Sequence, residues 1–150
     1  TATVPDALEA TVEAYVPLAP RPKESRRERA PVPTSARCVT RWELGPRTGL
    51  DFALLTGDFN PLHWVGPYAR SLGFRGPLAH GYALLARTVE SLVARELTGD
   101  PARLHTVEVR FAAPVSLPAS LGLFVSEDGE LWVGEQAGAT ACVTGRWQRR

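Results

Sequence analysis

An aspartate and a histidine stand five residues apart in the heptapeptide Gly57-Asp58-Phe59-Asn60-Pro61-Leu62-His63, in a chain with only three histidines. A carboxylate held beside a neutral imidazole is a proton-transfer pair, and imidazole works near neutral pH. The residues between them make a stiff corner. Pro61 fixes its own φ and biases Asn60 away from the helical region. Asn60 followed by Pro61 also reads as a helix N-cap and first helical residue, starting a short turn that carries His63. Gly57 permits a sharp turn or a close backbone approach. Taken alone, Asp58 could equally cap a turn, and His63 could be a satisfied core histidine.

The flanking residues decide for chemistry. Phe52, Leu55 and Thr56 precede the heptapeptide and Ala69 follows it, and a second element, Phe74-Arg75-Gly76-Pro77-Leu78-Ala79-His80-Gly81, lies downstream. Together these resemble the two signatures of the MaoC-like (R)-specific enoyl-thioester hydratases and dehydratases, over about residues 37–150. The resemblance implies the hotdog fold, an antiparallel sheet wrapped around one long helix. It also implies that Asp58 and His63 hold a water and manage both protons of hydration. No cofactor is implied, and no Gly-rich phosphate cradle is present. Gly81, at the start of the long helix, is the expected backbone donor to the thioester oxygen, because the first N–H groups of a helix lack intrahelical partners. Asn60, Phe59, His80 and Trp64 are expected to line the substrate site. Asn60 reads more as an orienting residue and His80 as a structural or pocket-wall residue than as proton carriers. Trp64 stands where family members more often carry a smaller residue, and could shorten the acyl tunnel.

Those residues need a scaffold, and 150 residues suit one domain with a tail. Residues 1–35 read as an N-terminal extension and Pro-rich charged linker, and residues 36–150 as the hotdog domain. Within the extension, residues 6–15 carry Leu8, Val12 and Tyr15 at helical spacing, while residues 11–18 also alternate as a strand would. The charged run at 23–29 reads as solvated. Residues 36–44 predict a first strand with Cys38, Thr40 and Trp42 on one side. Short helices follow at 50–55 and 67–72. The spacing then predicts a long helix over 81–97 with Leu85, Val89, Leu92, Val93 and Leu97 as its apolar stripe. Strands are expected at 104–113, 120–126, 130–136 and 139–148, with Asp128-Gly129 as a hairpin turn. One long helix followed by an antiparallel meander is an α+β layout.

Composition bounds the function. At 44% hydrophobic and 22% charged, with a net charge of +1, the chain is an ordinary globular one with no electrostatic case for nucleic acid. Cys38 and Cys142 are too few for a disulfide framework or zinc site. No apolar run reaches membrane-span length, and the expected location is cytoplasmic. Absence of Met reads as a processed or trimmed start, or a piece of a longer polypeptide. The reading is therefore a hydro-lyase acting on an acyl-CoA or acyl-carrier-protein thioester. Two alternatives stay open, a non-catalytic acyl-binding subunit of a heteromeric dehydratase and a hotdog thioesterase. A single sheet on one helix leaves strand edges exposed, so a homodimer is expected.

Overall fold

The computed structural model describes residues 2–4, 8–11 and 29–150. Strands β1 (Ala2–Val4) and β2 (Leu8–Ala10) pair antiparallel as a separate ribbon. This corrects the helix expected over residues 6–15, since Leu8, Glu9 and Ala10 are extended and bonded across to Val4, Thr3 and Ala2. The rest of that helix, its strand alternative beyond Thr11, and the charged run up to Glu28 lie outside the described residues.

The main sheet has five antiparallel strands in the order β3-β5-β6-β7-β4, made of β3 (Arg37–Leu44), β4 (Leu104–Phe111), β5 (Ala119–Val125), β6 (Glu130–Gly134) and β7 (Val143–Arg149). Chain order places β3 and β4 at the edges, because the long helix intervenes between them. Trp42 and Leu44 on β3 are buried, as alternation requires. Cys38 is not on that face. The β3–β5 register shifts between Cys38 and Thr40, and this bulge leaves Cys38 exposed while Val39 packs toward the core. Asp128-Gly129 turns the β5–β6 hairpin, with Gly129 at φ 81°. Residues 30–32 already pack on the sheet, since Ala141 N–H donates to the Ala30 carbonyl and Val32 is 1% exposed against Phe124 and Ala141.

The helical layer comprises α1 (Thr48–Thr56), a 3-10 turn (Pro61–His63), α2 (Gly66–Ser71) and α3 (Gly81–Glu96). The residues that α3 buries are Leu84, Thr88, Ser91 and Leu92, with Leu97 just beyond its end. Leu85, Val89 and Val93, expected in the buried stripe, are only half-buried. Two hydrogen bonds make the polar face acceptable inside. Trp42 Nε1–H donates to Ser91 Oγ at 3.2 Å, and the Thr88 hydroxyl donates to the Leu84 carbonyl at 2.8 Å. Buried polar groups with partners cost little, so side-chain bonding overrides the apolar count.

Candidate active site

Helix α1 ends at Gly57, which adopts the left-handed conformation (φ 78°) and closes the helix with its N–H on the Ala53 carbonyl. The chain then turns directly into Asp58. Asp58 Oδ1 accepts from Asn60 N–H at 3.3 Å, and Asn60 Oδ1 accepts from Leu62 N–H at 3.1 Å, so Asn60 caps the turn that carries His63. The sequence-level expectation of an N-cap is thus met by geometry. Asn60 spends its side chain on this backbone bond.

His63 is fixed from two sides. Its Nδ1 lies 2.9 Å from the Leu78 carbonyl, and a carbonyl can only accept. Neutral His63 therefore carries its proton on Nδ1, leaving the Nε2 lone pair free. The Leu78 segment is itself tied in, with Leu78 N–H donating to Leu62 O and Ala79 N–H to Val115 O. On the other side Gly49 of α1 meets the His63 backbone so closely that a Cβ there would run into the His63 carbonyl. Gly49 is not among the residues that the sequence singles out. Nothing in its neighbours in sequence announces a close approach to residue 63.

His80 completes the cluster. Asp58, His63 and His80 each bring one nitrogen or oxygen within 4.8 Å of the others'. The His80 ring stacks on His63 with centroids 3.6 Å apart and a 25° tilt, and Phe52 of α1 packs 4.8 Å away. His80 Nε2 is 3.4 Å from the Asp58 carbonyl oxygen and 3.6 Å from Asp58 Oδ2. His80 is 3% exposed, whereas the Asp58 side chain is 55% exposed. Burial depresses the His80 pKa below the ordinary imidazole value, and nearby His63 lowers it further against the opposing pull of Asp58. This Asp-His-His set is the natural place to look for a cation site. Rings stacked face to face, however, send their lone pairs side by side rather than toward one point, so one ion on both imidazoles would require unstacking.

Beyond His80 the chain enters α3 at Gly81, whose N–H has no intrahelical acceptor and sits at the positive end of the helix dipole. Gly81 also lines an open cleft of about 210 Å³ with the side chains of Ala79, Leu84, Phe111, Ala113 and Val115. Phe111 and Tyr82, both about half-exposed, meet edge to face with centroids 6.3 Å apart. Phe59 and Trp64 are joined to each other, Trp64 Nε1–H donating to the Phe59 carbonyl at 3.3 Å. Neither they nor Asn60 line that cleft; they flank the corner.

A five-stranded antiparallel sheet, one long helix and an Asp-His corner at the helix N-terminus define the hotdog class, and the known structures agree. An (R)-hydratase from A. caviae involved in PHA biosynthesis superposes with a TM-score of 0.55 at 26% identity, over 82% of this chain and 96% of that one. HtdX of Mycobacterium tuberculosis superposes with a TM-score of 0.61 at 28% identity, over 79% of this chain and 48% of that one. The MaoC like domain matches residues 17–144, and the chain belongs to that family. Among curated proteins, 3-hydroxyacyl-thioester dehydratase X of M. tuberculosis is 33% identical over 113 residues, which is 75% of this chain and 37% of that protein. The chain thus spans well under half the length of that relative. Among the described residues, no helix is long and apolar enough to cross a membrane.

Proposed function

We propose that this chain is a hydro-lyase acting on 2-enoyl and 3-hydroxyacyl thioesters, carried on CoA or an acyl-carrier protein in the cytoplasm. The observation that carries the reading is the convergence of Asp58 and His63 beside the N-terminus of α3 at Gly81. In the hydration direction a water is held by Asp58 and His63. His63 Nε2 accepts one water proton as the oxygen adds to C3. The electron pair moves onto the thioester oxygen, which takes a hydrogen bond from Gly81 N–H. The dyad returns one proton to C2, so it ends as it began. The cleft beside Gly81, walled by Leu84, Phe111 and Val115, receives the acyl chain. The names of the relatives, a 3-hydroxyacyl-thioester dehydratase and an (R)-hydratase, support the same chemistry and R stereochemistry.

Loss of enoyl absorbance with crotonyl-CoA, followed beside free-thiol release, tests the reading. Hydration without thiol release is the expected result. Thiol release alone would make the chain a thioesterase, and neither signal would make it an acyl-binding subunit.

Gly81 gives a sharper prediction. A Cβ there would lie 3.2 Å from the Phe111 ring, which is exposed enough to yield. Gly81→Val should therefore cost little stability, yet crowd the carbonyl's approach and lower turnover by about 10²-fold. Turnover per folded molecule that stays at the parent level would make Gly81 structural only.

A second hotdog unit completes the assembly. Strands β3 and β4 leave sheet edges, and Leu85, Val89 and Val93 of α3 stay half-buried within one chain. A homodimer joining two sheets would cover such surface. The relatives are longer than this chain, which leaves room for a variant of this reading in which the second unit lies in the same polypeptide. Light scattering on the 150-residue chain should give a dimer mass; a monomer with full hydratase activity would rule the dimer out.

A further inference from the structure

We propose that His80 is the positioning residue of the dyad, a neutral imidazole whose Nε2–H holds Asp58 while its ring face holds His63. The inference rests on the hydratase reading above and adds a residue to it.

The tautomer follows from the surroundings of each nitrogen. Nε2 faces two acceptors, the Asp58 carbonyl at 3.4 Å and Asp58 Oδ2 at 3.6 Å, so Nε2 bears the hydrogen. Nδ1 is buried and, among the described residues, has no hydrogen-bond partner. A lone pair can be left there more cheaply than an N–H, whose burial without an acceptor wastes a donor. Nδ1–H is therefore disfavoured both in the other tautomer and in the imidazolium. Among the described residues, the titratable groups that face the ring are Asp58 from the loop after α1 and His63 from the 3-10 turn; Phe52 of α1 covers it without charge.

Neutrality has a use at this place. A cation stacked 3.6 Å from His63 would oppose the charge that His63 acquires when it takes the water proton. Neutral His80 avoids that repulsion while its N–H holds the Asp58 backbone carbonyl and keeps residue 58 beside the site. Each contact alone is ordinary. Their combination on one buried ring, itself adjacent in sequence to Gly81, ties the two proton-handling groups to the oxyanion donor. The depressed pKa of His80 agrees with this picture. The sign for stability is that the unfolded chain takes up a proton near the ordinary value of 6.5 that the folded chain refuses, so this residue's contribution falls as pH drops through that region.

Two substitutions separate positioning from mere filling. His80→Phe keeps an aromatic face on His63 but has no N–H, and His80→Gln restores an amide donor near the Nε2 position. His80→Phe should lower kcat for crotonyl-CoA hydration by roughly 10- to 100-fold. Its KM should move by no more than about twofold, because the lost interaction serves the reacting groups and not substrate binding. His80→Gln, which returns the donor without the ring face, should recover part of the loss. His80→Phe with parental kcat would overturn the proposal. Nitrogen-15 shifts of the imidazoles provide an arm that needs neither activity nor a folded variant. In the parent chain at neutral pH they should report His80 protonated at Nε2 only and His63 at Nδ1 only. Finding His80 cationic, or protonated at Nδ1, would overturn it whatever the kinetics. A parent chain without hydration would count against the hydratase reading, leaving the spectra to decide the geometry of His80.

Discussion

Asp58→Asn and His63→Ala should each reduce crotonyl-CoA hydration by about 10²- to 10⁴-fold, the range for a lost general acid or base. The two changes differ in what else they disturb. Asn occupies the same volume as Asp, and the Asp58 side chain is 55% exposed, so Asp58→Asn should melt with the parent. His63→Ala also removes the bond to the Leu78 carbonyl and the stack on His80, so some stability goes with it. Because both groups act on one water, the double variant should be little worse than either single one. Turnover within about tenfold of the parent in a folded Asp58→Asn chain would remove the dyad from the mechanism.

Gly49→Ala, a single methyl distant in sequence from the dyad, should produce the second large effect. Its Cβ would enter the space of the His63 carbonyl, so either α1 or the 3-10 turn must move. Overpacking of this kind costs roughly 1–3 kcal/mol. The displaced element carries His63 or Phe52, and a misplacement of about 1 Å at a reacting group can cost about 10²-fold in rate. Gly45→Ala is the matched control, since nothing lies within 4 Å of a Cβ there. Thermal melts and turnover of the pair check the claim. Equal behaviour of the two variants would show that α1 yields without moving His63.

The corner that brings Asp58 and His63 together was legible in sequence because its geometry is local. Asn60 and Pro61 make the corner with bonds spanning two residues, so residue type and spacing suffice. The start of the long helix at Gly81 was legible for the same reason, from the periodicity that begins there. What could not be read depends on contacts across the fold. Gly49 approaches His63, and His80 reaches back to Asp58, only once α1 and the Leu78 segment are docked together. The buried face of α3 was misplaced because hydropathy ranks Leu85, Val89 and Val93 above Thr88 and Ser91. It cannot foresee that Trp42 and the Leu84 carbonyl will satisfy the two hydroxyls. Cys38 was assigned to the wrong side of β3 because a bulge breaks the period-two rule at a point where the strand's own residues give no sign of it. The ribbon formed by Leu8–Ala10 is a pairing preference that helical spacing had masked.

Asp58, His63, the residues packed against them (Gly49, Phe52, Leu78 and His80) and the proposed donor Gly81 all come from residues 49–81. Much of the wall of the neighbouring cleft comes from residues 111–115, the last residue of β4 and the four that follow it. Heredity can therefore act on the two separately. Under the proposed function, drift in the later segment would re-tailor the space for an acyl chain while proton handling would be inherited intact. Substitutions in the earlier one put the reaction itself at risk. A set of paralogues built on this plan would diverge first in what they accept and last in what they do to it. In the laboratory, the same division makes residues 49–81 the piece to transplant into another hotdog scaffold, and residues 111–115 the piece to randomise.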